Sequence, residues 1–114
     1  MKLVADAATE RWLIGLTGAD HEFEWDDGNH TKHRKHGVES GDIQALIGGN
    51  FYFAGRIVDP AHSERRWLAL GVDGAGRRLA LVFTRRGHRL RAISCRAMRP
   101  KERGIYEEAH REND

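Results

Sequence analysis

Between residues 77 and 103 arginine recurs at a density that calls for a chemical reason. Arg85, Arg86, Arg89, Arg91, Arg96 and Arg99 crowd a tight Arg-Arg-Gly-His turn and the ends of two apolar segments, Leu79 to Thr84 and Leu90 to Cys95. A guanidinium is planar, permanently charged and able to grip two oxygens of one anion. Gathered around an apolar hairpin, these groups point to an anionic partner, with RNA the expected one. Cutting RNA without a metal needs three functions. A base takes the 2′-OH proton, cations stabilise the charge that builds on phosphorus, and an acid protonates the departing 5′-oxygen. Arg65, Arg66, Arg86, Arg91 and Arg96 are the candidate cations. His36, Tyr106, Glu64 and Glu102 are the candidate proton-transfer groups, histidine being the usual one near neutral pH.

Other chemistries find less support. The single cysteine, Cys95, cannot form an internal disulfide, which fits a reducing cytoplasm, and beside Ile93 it reads as packing rather than as a nucleophile. His30, His33 and His36 share a helical face, but Lys32, Arg34 and Lys35 stand between them and repel a cation, so neither metal nor cofactor is expected. Gly74-Ala75-Gly76 lacks the Lys-Ser/Thr of a phosphate-binding loop, and no Ser-His-Asp elbow is present. Apolar runs fall far short of the ~20 residues that cross a bilayer. The N-terminus lacks the apolar core of a secretory signal. A cytoplasmic protein with no membrane partner is expected.

The net charge of +2 conceals a segregation. Residues 1–27 sum to −5, 28–55 to +1, 56–103 to +9 and 104–114 to −3. A surplus of that size over one stretch steers polyanions or acidic proteins towards it.

The elements that must position these residues follow from pattern. Residues 6–17 read as a helix capped by Asp6, with Gly18 as a stop. Phe23 to Asp26 alternates apolar and acidic residues and reads as a short strand. His30 to Lys35 reads as a short helix ended by Gly37. A helix capped by Ser40 or Asp42 carries Ile43, Leu46 and Ile47. Strands are expected at 51–53, 56–58, 65–72, 79–84 and 90–95, and a helix follows Pro100, a residue suited to a first turn. Strand alternation sets Arg91, Ile93 and Cys95 on one face and Leu90, Ala92, Ser94 and Arg96 on the other, unless a bulge intervenes. Trp25, Trp67 and Phe83 read as core, and His62 and His88 as solvated turn residues. The fold class is α+β: a central antiparallel sheet of three to four strands with helices packed on one side.

Residues Phe23 to Glu108 resemble the BrnT-type toxins of bacterial type II toxin–antitoxin pairs. The matching pieces are FEWDDGN at 23–29, K-x-x-K-H-G-V at 32–38, DPAHSE at 59–64, GR at 76–77, VFTRR at 82–86, LRAISCR at 90–96 and K-E-R-x-x-Y-E at 101–107. The resemblance divides the chain into an N-terminal helical extension, 1–22, and a toxin domain, 23–114. It implies a RelE/ParE-like, microbial-RNase-like fold and an endoribonuclease that cuts RNA without metal and blocks translation. It also implies a BrnA-type antitoxin with a ribbon-helix-helix domain, through which alone the pair would reach operator DNA. By the family's motifs, Arg66, Arg86 and Arg96 would be the catalytic cations, and His36 or Tyr106 would transfer a proton. Lys32, Lys35, Ser94 and Glu102 match the same motifs and would contact RNA, as would Arg65 and Arg91, which are named from their place in the basic strands rather than from the resemblance. Two alternatives remain: a nucleic-acid-binding module without catalysis, and a RelE/ParE-fold toxin acting on a protein such as gyrase.

Overall fold

The computed structural model describes residues 1–29, 34 and 36–112. The helix expected over His30 to Lys35 lies outside these residues apart from Arg34, as do Lys32 and Lys35 themselves. Five strands form one antiparallel sheet in chain order: β1 (Lys2–Val4), β2 (Phe51–Asp59), β3 (Arg66–Val72), β4 (Arg78–Arg86) and β5 (Arg89–Ala97). Helix α1 (Ala7–Ile14) joins β1 to the core, α2 (Ser40–Gly48) precedes β2, and α3 (Pro100–Glu112) closes the chain.

The central strands explain the layering. Trp67 to Leu70 and Leu79 to Phe83 are apolar without interruption, and an unbroken apolar run is buried on both faces. On one face, Leu13 of α1 and Ile43, Leu46 and Ile47 of α2 pack on Phe53, Trp67, Ala69, Leu79, Leu81 and Phe83. On the other, Met98 and Tyr106 pack on Ile57, Leu68, Leu70 and Ala80. The expectation of helices on one side is therefore corrected: α1 and α2 cover one face and α3 the other. The strand number is corrected too, to five among the described residues, because the three-residue β1 adds an edge that its sequence, Lys-Leu-Val, is too short to announce. β1 lies against Gly55, whose φ is +128° and where a Cβ would stand 2.6 Å from the Val4 carbonyl oxygen. Only glycine fits both demands.

A bulge in β5 reorders its faces. Val82 pairs with Ser94 but Phe83 pairs with Ala92, so Ile93 is an extra residue. Leu90, Ala92 and Cys95 all join the α1/α2 core. Arg91, Ser94 and Arg96, paired with Thr84, Val82 and Ala80, share the α3 face. Simple alternation had separated Arg91 from Arg96; the bulge unites them. The strand expected at Phe23 to Asp26 is reduced to one parallel bridge between Phe23 and Leu90. α1 begins where Asp6 accepts a hydrogen bond from the Thr9 N–H at 3.2 Å. α2 is capped from Glu39 rather than Ser40 or Asp42, and the Asp42 carboxylate accepts the Glu39 N–H at 2.8 Å.

Candidate active site

The α3 face divides along the strands. Beyond the cluster under Tyr106, its hairpin end carries Arg66, Thr84, Arg86 and Arg91. Arg91 pairs with Thr84, and Arg66 lies one residue before the Trp67–Phe83 pair, which sets it beside Thr84. Arg66, Thr84 and Arg91 thus form a row across β3, β4 and β5, roughly 10 Å from end to end at ~4.8 Å per strand. Thr84 is buried and its hydroxyl donates to the Arg65 carbonyl at 2.7 Å, which fixes the floor of the row.

Acidic residues from distant parts of the chain meet these arginines. Glu24 Oε1 accepts from Arg86 Nη1 at 3.0 Å and from Arg91 Nη1 at 3.2 Å. Asp26 Oδ2 accepts from Arg91 Nη1 at 2.6 Å, and this bond holds the Asp26 carboxyl below the usual range. Glu64 Oε2 lies 3.3 Å from Arg86. The 23–29 segment is pinned in place by its backbone. The Glu24 N–H donates to Leu90 O at 2.9 Å. The buried Asn29 donates to the carbonyls of Glu24 (2.9 Å) and Ala92 (3.2 Å) and accepts the Asp26 N–H (2.8 Å). The acidic start of the chain thus folds back on its basic middle, and the sequence segregation is partly neutralised in space.

Arg66 differs from its neighbours. Its Nε is buried and has no hydrogen-bond partner among the described residues. A buried donor without a partner costs about 1–3 kcal/mol, and more when charged. A cation carrying that deficit beside two other arginines is suited to receive an anion.

The remaining sequence candidates lie elsewhere or are otherwise engaged. Arg96 donates through Nη1 and Nη2 to the two carboxylate oxygens of Glu102, at 2.7 and 3.0 Å. Glu102 also accepts the Arg99 N–H at 2.8 Å, so one side chain ties β5 to the first turn of α3. These side chains are only 16% and 10% exposed. Burial raises the Glu102 carboxyl, but the Arg96 and Arg99 bonds and charges outweigh it and hold it low. The Tyr106 ring is buried on Leu68 and Ala80 and stacks on His110. Ser94 is half-buried opposite Val82 on the shared face, and Arg65 is exposed in the loop before β3. His36 lines an open cavity of about 390 Å³ with Arg77, Arg78, Met98 and Arg103. Arg78 and Arg86 are the two ends of β4, roughly 27 Å apart at ~3.4 Å per residue. The structure therefore brings Arg66, Arg86, Arg91, Ser94 and Arg96 onto one face, with Arg96 committed to Glu102, and leaves His36 at the far end of the sheet. Cys95 is buried in the core, which pushes its thiol up to about 12.

Sequence reasoning missed Glu24, Asp26 and Asn29. Their signal was present, since FEWDDGN places acidic groups in a turn-rich segment far upstream of the basic stretch. Reading it as a strand hid the loop that carries them to the β5 edge.

The fold and this cluster define a small α+β protein with a group of arginines gathered on one sheet face. The chain belongs to the BrnT family, the ribonuclease toxin of type II toxin–antitoxin systems, whose profile matches residues 25–102. Neither the curated proteins nor the solved structures contained a match to it. Membership implies a ribonuclease toxin with RNA as its target and an antitoxin as its partner. Among the described residues no helix is long and apolar enough to cross a membrane.

Proposed function

We propose that this chain is an endoribonuclease that cuts RNA by attack of the 2′-OH, without a metal, and thereby stops translation in the cytoplasm. Arg66, Arg86 and Arg91 bind the scissile phosphate and stabilise the charge that grows on it. The observation that carries this reading is the buried, partnerless Nε of Arg66 set in a row with Thr84 and Arg91. Electrostatic stabilisation by fixed donors is commonly the largest contribution to such reactions.

Arg65 and Ser94 flank the cluster and contact the neighbouring nucleotides. His36, with Arg78 and Arg103, and with Lys32 and Lys35 of the same motif, holds the strand away from the cut. Arg96, Glu102 and Tyr106 support the face from beneath α3. The sheet with its arginine-bearing face belongs to a RelE/ParE-like arrangement. The partner is a BrnA-type antitoxin whose ribbon-helix-helix domain carries the pair to operator DNA.

Inducible expression in a bacterial host tests the reading, with labelled amino-acid and thymidine incorporation followed together. An early fall in protein synthesis with fragmented RNA is the expected result, and Arg66→Ala with Arg86→Ala relieves the arrest. Arrest of thymidine incorporation first, with RNA intact, assigns the chain to a protein target instead.

A further inference from the structure

We infer that Glu24 is the general base of this site, the group that takes the 2′-OH proton; the inference rests on the ribonuclease reading above. Among the described residues Glu24 is the carboxylate that bridges Arg86 and Arg91, and a single oxygen, Oε1, makes both bonds. Its second oxygen, Oε2, is not among the acceptors of these bonds and is the atom assigned to take the proton. The side chain keeps about a quarter of its surface open, so substrate can reach it. Its backbone is fixed from both sides, by the N–H bond to Leu90 and by the Asn29 amide on its carbonyl. Pinned backbone and bonded side chain are what a catalytic carboxylate needs in order to hold its geometry.

Glu64 is a weaker candidate, because among the described residues it reaches Arg86 and no second arginine, at 3.3 Å, from a loop. Glu102 has both oxygens committed to Arg96. His36 and Arg86 lie at opposite ends of the sheet.

The step balances as follows. The 2′-OH proton passes to Glu24 and the 2′-oxygen bonds to phosphorus. The bond from phosphorus to the 5′-oxygen breaks, and that oxygen takes a proton from water. The products are a 2′,3′-cyclic phosphate and a 5′-OH end. As the phosphate enters, Arg86 and Arg91 turn part of their bonding from Glu24 to the phosphate oxygens, which frees the carboxylate to accept the proton. The charged groups around Glu24 are Arg86 from β4 and Arg91 from β5. Beyond these arginines stand Glu64 from the loop before β3 and Asp26 of its own segment.

The test compares purified wild type with Glu24→Gln and Glu24→Asp. Single-turnover cleavage of an RNA oligonucleotide is followed across pH, and binding is measured with a 2′-O-methyl copy that cannot react. Glu24→Gln should bind the copy at least as tightly, having lost a negative charge. It should cleave about 10²–10⁴-fold more slowly, the usual contribution of a general base. The acidic limb of the pH–rate profile should disappear in Glu24→Gln and survive, at reduced rate, in Glu24→Asp. Cleavage by Glu24→Gln within fivefold of wild type, with the acidic limb intact, overturns the inference and leaves the ribonuclease reading standing. A slow Glu24→Gln that has also stopped binding overturns it too, because Glu24 then only orders the arginines. A wild type that leaves every RNA intact overturns both readings together.

Discussion

Replacing Glu102 with alanine separates structural support from chemistry. The carboxylate makes two charge-assisted bonds to Arg96, at 2.7 and 3.0 Å, and accepts the Arg99 N–H at 2.8 Å. Its removal leaves a guanidinium that is only 16% exposed with no counter-charge. Breaking a buried pair costs roughly 3–5 kcal/mol, and the low end applies here because Arg96 keeps some contact with solvent. Loss of the N–H acceptor at the start of α3 adds about 1 kcal/mol. The total, about 4 kcal/mol, is a large part of the ~5–15 kcal/mol that stabilises a domain. At about 4 °C per kcal/mol for a chain of this length, the melting temperature should fall by about 16 °C. Circular dichroism melts at pH 7 read this directly. Arg96→Met combined with Glu102→Leu should recover much of the loss, since an apolar pair of similar volume removes the stranded charge. RNA cleavage by Glu102→Ala at a temperature where it is folded should stay close to wild type. A melting temperature within 3 °C of wild type, together with lost cleavage, would refute this reasoning and return Arg96 and Glu102 to the site itself.

Further outcomes follow from the same geometry. Asn29→Ala removes three bonds to buried or half-buried backbone and should cost roughly 1–3 kcal/mol, seen as a lower melting temperature and faster amide exchange at Glu24 and Asp26. Gly55→Ala drives a Cβ to 2.6 Å from Val4 O and should detach β1, read as rapid proteolysis near the N-terminus with β2 to β5 still protected. Glu102, Asp73 and Asp6 all have carboxyls lowered from their ordinary values of 4.5, 3.8 and 3.8 in the folded chain. The unfolded chain therefore binds protons first, so these groups contribute their full stability above about pH 4.5 and lose it as pH falls through their folded values. Melting temperature should hold level from pH 7 to about 5 and drop below about 4.

Much of the sheet was legible in the sequence because strands β3, β4 and β5 combine apolar runs with turn residues at fixed places. Gly87, with φ +63°, makes the turn that Arg-Arg-Gly-His announced. The unbroken runs at 67–70 and 79–83 also held the clue to helices on both faces, since a sheet with one wet face alternates instead. Three features were hidden for physical reasons. The bulge at Ile93 depends on how β4 and β5 register, which no local pattern reveals, and it decides which arginines share a face. β1 is too short for periodicity to register. The Glu24–Arg86–Arg91 network joins residues more than sixty positions apart, and counting charge along the chain placed its two halves in separate blocks. Arginine density found the right hairpin; only the fold distinguishes Arg96, which is locked to Glu102, from Arg66, whose Nε is left bare.

Cleavage of RNA by the purified chain in excess EDTA, with the product ends identified, bears most directly on the arginine cluster as a site of 2′-OH attack. The expected result is fragments ending in 2′,3′-cyclic phosphate and 5′-OH, formed at a rate that Arg66→Ala lowers by about 10²–10³-fold, the loss seen when one fixed donor to a developing charge is removed. Fragments with 5′-phosphate ends, cleavage that stops in EDTA, or an Arg66→Ala variant as fast as wild type would contradict it.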